Sequence, residues 1–587
     1  MVVPINSNDA GRGALHEAEH TRDQQQGNRA LTGPDRGPES RRETRDTSGS
    51  KGWFNHGSGG RGSVPTPAWL GVVFALALAV RLWGITWQLP AVLYYDELKY
   101  VQWASDKADG RRLGAPDYRN PSLVRHLFAL EFRLAELLYP LANQRARASF
   151  RMKIARVTTA ILGAATVVLA ALTSRVLFGA GGAIITGLLM ALSPLHVHLA
   201  HLAVNDVPAS FFLAASLCAG VVTLRKPMVM MSALAAFLAG LATAAKYNYG
   251  VVLLVPFVGL LAHGAAGRFS VPRVFVDTAA VMLVMFAVGA CVGMPELVTD
   301  FTGVTEGLAQ QARIGLVASD DQEPTPVPLL YAETLVRGLG PLGALAAIAG
   351  SVALARSRPG TGLAIMSCPL IYLAVMLRGD LFAARFALPL VLVGAVLAGG
   401  TWRLAHQWKP IPLGLAALAL LAPLVRDVVQ HNRLATITDT RVLAEQWLRA
   451  EPAGTRVAAQ AYALPPDWPG FLPIDRVRLT RFQSLLSPDA ERRLECDGTQ
   501  YVLLASFNYE RQLRNPAAPV ETGYSRLAQR AEHVLRFSPF ATGVTAPQHP
   551  DDTAIPFWYM HAYERPGPMI DVYRVTSELQ AECPGRR

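Results

Sequence analysis

Five residues in this sequence could do chemistry together, although they lie far apart along it. Asp96 and Glu97 follow directly on the first long apolar run, Asp206 opens a later one, and Lys246 and Arg385 stand at the ends of two more. Moving a sugar from a lipid phosphate to a hydroxyl needs a base for the acceptor proton and positive charge where the phosphate departs. Asp96 and Glu97 are the catalytic candidates. Adjacent side chains cannot both point at one atom, so Asp96 is assigned as base and Glu97 to orienting the loop or the acceptor. Lys246 and Arg385 suit the donor phosphate, and Asp206 supplies a second acidic loop. Plainer roles compete for each: Asp96 and Glu97 as solvated loop acids, Asp206 ahead of Val207-Pro208 as a helix cap, and Lys246 and Arg385 as side chains snorkelling to headgroups.

Other residue types point elsewhere. His196, His198 and His201 are spaced i, i+2 and i+5, which does not bring all three to one helix face, so no metal site is assigned. No cofactor is certain, and a divalent metal is left open. Cys218, Cys291 and Cys368 sit singly in apolar runs as small buried hydrophobes, leaving Cys496 and Cys583 as the cysteines that could pair. Trp83, Trp87, Trp103, Tyr94 and Tyr95 fit an aromatic belt at a membrane interface.

The elements that must position these residues are membrane helices. Only 17% of the 587 residues are charged, against about 25% in soluble domains, and 51% are hydrophobic. About eleven apolar stretches are long enough to cross a hydrocarbon core of about 30 Å, near 67–88, 154–176, 181–199, 207–224, 228–245, 249–266, 275–295, 328–355, 360–377, 384–402 and 410–427. The net charge of +11 comes without a basic-aromatic stripe or a phosphate loop, which excludes nucleic acid as a partner. It falls instead on every second loop, at Arg175, Arg225 with Lys226, Arg268 with Arg273, Arg356 with Arg358, and Arg403 with Lys409. That parity puts the N-terminus in the cytoplasm.

The chain divides into a disordered cytoplasmic tail (1–66), a transmembrane region (67–429) with outer loops 89–153 and 296–327, and a C-terminal α/β extracytoplasmic domain (430–587). Within the first outer loop, residues 121–140 are apolar but carry Arg125, His126, Glu131, Arg133 and Glu136. Each charge at mid-membrane costs about 2.5 to 3.5 kcal/mol on insertion scales, so this segment is expected to lie in the interface. The basic stretch Arg145 to Arg156 then falls outside, against the usual bias. All five chemical candidates gather at the outer face. Tyr501 to Ala505 and Met569 to Val575 read as strands.

With these residues placed, the chain resembles the GT-C superfamily of membrane glycosyltransferases, particularly protein O-mannosyltransferases, bacterial aminoarabinose transferases and galacturonosyltransferases of the lipopolysaccharide core. The resemblance runs over roughly 68–430 and rests on Tyr95-Asp96-Glu97-Leu98, Ser193-Pro194 followed by Asn205-Asp206, Lys246-Tyr247-Asn248, and Arg385-Phe386-Ala387-Leu388-Pro389. Asn120-Pro121-Ser122-Leu123 stands where the family usually has His-Pro-Pro-Leu, and Gly567 to Arg574 is similar to the end of the soluble domain in some bacterial members. The resemblance implies a GT-C-like polytopic α-helical membrane protein, in a bacterial plasma membrane, with Asp96 as the catalytic acid. It also implies a polyprenyl-phosphate sugar donor, a lipid, glycan or protein acceptor, and one inverting displacement. A transporter or flippase is the alternative, but the spans are nearly uncharged at mid-depth and show no half-to-half repeat.

Overall fold

The computed structural model describes residues 66–111, 117–266, 272–316, 326–379, 382–402, 410–468, 476–487, 490–514, 522–544 and 552–576. The expected tail, but for its last residue, and Cys583 lie outside the described residues.

The chain opens with the apolar helix α1 (Thr66–Leu82) and two helices of mixed composition, α2 (Tyr95–Ala108) and α3 (Leu123–Leu138). Helix α4 (Gln144–Phe178) has 35 residues, about 52 Å at 1.5 Å per residue, so its ends reach beyond the hydrocarbon thickness of a bilayer. Asn143 caps it, its side chain accepting from the Arg145 and Ala146 amides. Then follow α5 (Ala180–Ala191), α6 (Pro194–Ala200), α7 (Asp206–Arg225), α8 (Val229–Ala245), a 3₁₀ stretch (Tyr247–Leu253) running into α9 (Leu254–Ala265), and α10 (Pro272–Gly293). After the short α11 (Glu296–Thr299) and α12 (Phe301–Leu316) come α13 (Val327–Leu339), α14 (Pro341–Ser357), α15 (Pro359–Met376), the 3₁₀ turn Ala384–Ala387 with α16 (Leu388–Ala398), α17 (Pro410–Ala435) and α18 (Thr440–Ala450).

Among the described residues, seven helical stretches are long and apolar enough to cross a membrane, and two bent pairs raise the number to as many as nine. The protein is thus an integral multi-pass membrane protein. Stretches 67–88 and 228–245 are filled by shorter apolar helices, Ala68–Leu82 and Val229–Ala245.

Two of the expected spans are bent. Helices α5 and α6 meet at 55°, where Ser193 and Pro194 interrupt the hydrogen-bond ladder. Helices α13 and α14 meet at 103° around Gly340, whose φ of +73° suits glycine, and Pro341, which starts the new helix. Elsewhere backbones approach closely. A Cβ on Gly240 of α8 would lie 2.2 Å from the Phe286 carbonyl oxygen of α10, and one on Gly289 of α10 would lie 2.1 Å from that of Phe237.

The C-terminal part carries a five-stranded sheet in the order β2-β1-β3-β5-β4, from β1 (Arg456–Gln460), β2 (Arg478–Phe482), β3 (Tyr501–Ala505), β4 (Glu532–Phe537) and β5 (Ile570–Arg574). Strands β1 to β3 pair in parallel, and β5 is antiparallel to both its neighbours. Both segments read as strands in the sequence are strands here. Alternation puts Val457, Leu503 and Val572 with Ala444 and Leu448 of α18 on one face, and Ala458, Val502 and Leu504 with Leu527 on the other. Phe540, Phe557, Trp558 and Tyr563 join the same core as the membrane helices. Cys496 is disulfide-bonded, whereas Cys218, Cys291 and Cys368 are free thiols.

Candidate active site

Asp96 lies in the first turn of α2, where the helix's exposed amides favour an acid. The loop leading to it is held by the C-terminal part. Gln88 donates to the Ile437 carbonyl (2.6 Å) and accepts from the Asp439 amide (3.0 Å), Trp468 donates to the Pro90 carbonyl (2.8 Å), and Arg441 donates to the Leu93 carbonyl (3.2 Å). Arg385 is brought from the other end of the membrane region by the 3₁₀ turn before α16. One of its guanidinium nitrogens donates to both the Tyr94 hydroxyl and Asp96 Oδ2, each at 2.8 Å, while Lys99 lies 3.4 Å from Asp96 Oδ1. Burial alone would raise the Asp96 pKa, but Arg385 and then Lys99 outweigh it and hold the carboxyl below its usual range. Asp96 and Arg385 are each about one-third exposed, so this pair is open to solvent.

A second pair lies beside the first. Asn205 donates to the Ala245 carbonyl (3.0 Å) and so ties the start of α7 to the end of α8, which brings Asp206 within 2.5 Å of Lys246 Nζ. Asp206 is almost fully buried, and its carboxylate is engaged by Lys246 rather than by a helix-capping contact. The Phe386 ring links the pairs, with Lys246 Nζ 5.2 Å and the Arg385 guanidinium carbon 5.8 Å from its centroid. Lys246 feels Asp206, Arg385 and Asp96, and Arg385 feels both acids, so the four charges form one cluster.

Glu97, assigned to orienting the loop or the acceptor, stands apart from this cluster. Its two oxygens accept from Arg156 at 2.8 Å each, one also accepts from the Ala203 amide, and both partners of the ion pair are fully buried. Arg156 also donates to the Trp87 carbonyl and lies 4.6 Å from the Trp87 ring centroid. Neighbours on a helix diverge by about 100°, so while Asp96 faces the charged cluster, Glu97 points into the core and clamps α2 to α4 and the loop before α7.

Several residues around the cluster escaped sequence reasoning. Arg119, held by Asp117 at 2.7 Å, acts on Asp96 through space, and Tyr100 sits one helical turn beyond Asp96. The only sequence signal was the i, i+4 spacing of Asp96 and Tyr100. The interfacial segment appears as α3, whose entry is pinned to α11: Ser122 donates to Glu296 (2.6 Å), His126 Nε2 lies 2.9 Å from Glu296, and Lys107 lies 2.7 Å from His126 Nδ1. Asn120, in place of the family's usual histidine, contributes its carbonyl to Arg125. The three histidines read as unfit for a metal take separate partners, His196 with Arg81, His198 with His431, and His201 with the Trp83 and Val197 carbonyls. Among the described residues no group of three or more His, Cys, Asp or Glu side chains is placed to hold a metal ion.

The site thus sets an open acid–guanidinium pair beside a buried acid–lysine pair at the ends of apolar helices. Residues 71–286 match the family model described as dolichyl-phosphate-mannose-protein mannosyltransferase. The resemblance read in the sequence therefore holds over the segment carrying Asp96, Glu97, Asp206 and Lys246, while Arg385 lies beyond it. Among curated proteins no sequence match is found. Among solved structures the chain is similar to the ArnT of Cupriavidus metallidurans bound to undecaprenyl phosphate (12% identity, 88% of this chain and 99% of that one, TM-score 0.49). It is similar also to the oligosaccharyltransferase AglB of Archaeoglobus fulgidus in complex with an inhibitory peptide and a dolichol-phosphate (12%, 80% and 73%, 0.49). The third is the arabinofuranosyltransferase AftD from Mycobacteria (14%, 87% and 42%, 0.41).

Proposed function

We propose that the protein is a glycosyltransferase that moves a sugar from a polyprenyl-phosphate donor to a hydroxyl of a lipid, glycan or protein acceptor, at the outer face of a bacterial plasma membrane. In this proposal the eleven apolar stretches all cross, α3 lies in the interface, the N-terminus is cytoplasmic and the C-terminal domain is extracytoplasmic. The observation that carries the chemistry is the sharing of one guanidinium. Arg385 holds Asp96 below the usual carboxylate range, and a donor phosphate is the anion that would compete for it. As the phosphate draws Arg385 away, Asp96 is freed to take a proton.

The acceptor oxygen then attacks the anomeric carbon while the bond from that carbon to the phosphate oxygen breaks, inverting the centre. The acceptor proton passes to Asp96, and the phosphate leaves as a monoester with added negative charge beside Lys246 and Arg385. Asp206 keeps Lys246 charged and aimed, and Glu97 positions the helix that carries Asp96. General-base assistance is worth about 10² to 10⁴-fold. Asp96→Asn should lose that much in single-turnover transfer from a panel of radiolabelled polyprenyl-phosphate sugars and still bind polyprenyl phosphate. Wild-type transfer by Asp96→Asn would remove the base.

A further inference from the structure

Tyr100 is buried, only 5% exposed, and its hydroxyl has no hydrogen-bond partner among the described residues. A buried unpaired hydroxyl is uncommon, since removal from water is normally repaid by a hydrogen bond. Its position is informative. Tyr100 is four residues after Asp96 on α2, and a helical side chain leans toward the N-terminus, over the residue at i−4. The phenol lies in the fields of Arg125, Asp206, Asp96 and Arg385, and burial raises its pKa, so it stays protonated and keeps an O–H to donate to this cluster.

Tyr100 has no use in the donor-free arrangement, where Arg385 satisfies Asp96. When a phosphate takes Arg385, the Asp96 carboxylate loses its strongest donor at the moment it must be held toward the acceptor. We propose that Tyr100 is a positioning residue for the transfer reaction: once the donor phosphate has drawn Arg385 away, the Tyr100 hydroxyl donates to Asp96 and aims the carboxylate at the acceptor. The assignment rests on Asp96 being the base. Asp96 also faces Arg385 in contact (whose same nitrogen holds Tyr94), Lys99 on its own helix, Arg119 from the loop before α3, Lys246 from the end of α8, and Tyr462 from the C-terminal part. None of these is replaced in the test.

The test compares pH profiles of wild type and Tyr100→Phe, using whichever labelled polyprenyl-phosphate sugar the wild type consumes. The profile of kcat/KM reports the free enzyme and that of kcat the loaded one. In Tyr100→Phe the acid limb of kcat should move up by about one pH unit, the scale of one lost hydrogen bond, while that of kcat/KM stays in place. The thermal midpoint of the donor-free protein should be equal or higher, because the substitution removes only an unpaired hydroxyl. Unmoved limbs in both profiles, or equal shifts in both, would overturn the role. A wild type that consumes no polyprenyl-phosphate sugar, or an Asp96→Asn variant of full activity, would instead sink the functional proposal, and this assignment with it.

Discussion

Asp96 and a bound phosphate would compete for one guanidinium, and this gives the site a pH signature. The Asp96 pKa is depressed in the folded protein, so the contribution of its ion pair to stability is full above the ordinary carboxylate range. It is lost as pH falls through the lower folded value. For the same reason the acid limb of kcat/KM should lie below the ordinary aspartate range. In Arg385→Gln that limb should move to higher pH, because burial, which raises the Asp96 pKa, then loses its largest opposing charge and is countered mainly by Lys99. A limb that does not move on losing Arg385 would place the titrating group elsewhere. Glu97 behaves differently: Glu97→Gln leaves Arg156 charged and unpaired in the core, a loss of about 3 to 5 kcal/mol by analogy with other broken buried pairs. Thermal unfolding in detergent measures it, and the double variant Glu97→Gln with Arg156→Met should recover part. Residue type and location made Asp96, Asp206, Lys246 and Arg385 legible in the sequence. Which acid meets which base was not legible, because the contacts close over separations of 40 to 289 residues. The partner of Glu97 was not legible either, because Arg156 lies 59 residues away in a stretch that reads as a topological charge cluster.

At the scale of elements, the stretch between α1 and α4 is organised by ion pairs that periodicity does not reveal. Arg151 on α4 reaches Asp109 just after α2 (2.5 Å) and Glu136 on α3 (2.7 Å), so three helices meet at one guanidinium. The apolar content of α3 was readable, and so were the charges that argue against its crossing. Its anchoring to α11 was not, because Ser122 and His126 at the start of α3 meet Glu296 across separations of 174 and 170 residues. Burial alone would raise the Glu296 pKa, but the hydrogen bonds from His126 and Ser122 outweigh it and bring it down to about 2. The anchor's stability is therefore present above the ordinary glutamate range and lost as pH falls toward that value. Glu296→Gln removes the charge that both donors address. Amide exchange in α11 and α12 should speed up about ten- to a hundredfold, as expected from losing hydrogen bonds to a charged acceptor, while α8 and α10 are unchanged. Unaltered exchange in α11 and α12 would mean that the anchor holds nothing. The bends at Pro194 and Pro341 were present in the sequence as proline signals. The apolar runs on either side hid them, since composition measures length and not direction.

For the whole molecule, the contacts themselves constrain how the chain threads the membrane. Asp96 and Arg385 are 2.8 Å apart, so an even number of crossings must separate them. Eight of the expected stretches lie between, which satisfies the condition, whereas a crossing by α3 would make nine and put the two residues on opposite faces. The basic stretch from Arg145 to Arg156 was the main objection to leaving α3 in the interface. Arg147, Arg151 and Arg156 of that stretch each have a carboxylate partner within 4 Å, whereas no ion pair among the described residues involves Arg145 or Lys153. The prediction uses exposed positions on both expected faces, in a variant whose free thiols Cys218, Cys291 and Cys368 are replaced by alanine. Single cysteines at Gln102 and Val298 should react with an impermeant thiol reagent in intact cells, and single cysteines at Lys226 and Ser357 only after permeabilisation. The informative failure is Gln102 labelling from outside while Val298 is protected. That pattern would mean that α3 crosses, that the face carrying Asp206 and Lys246 is inverted, and that the contact joining Asp96 to Arg385 cannot form in the membrane.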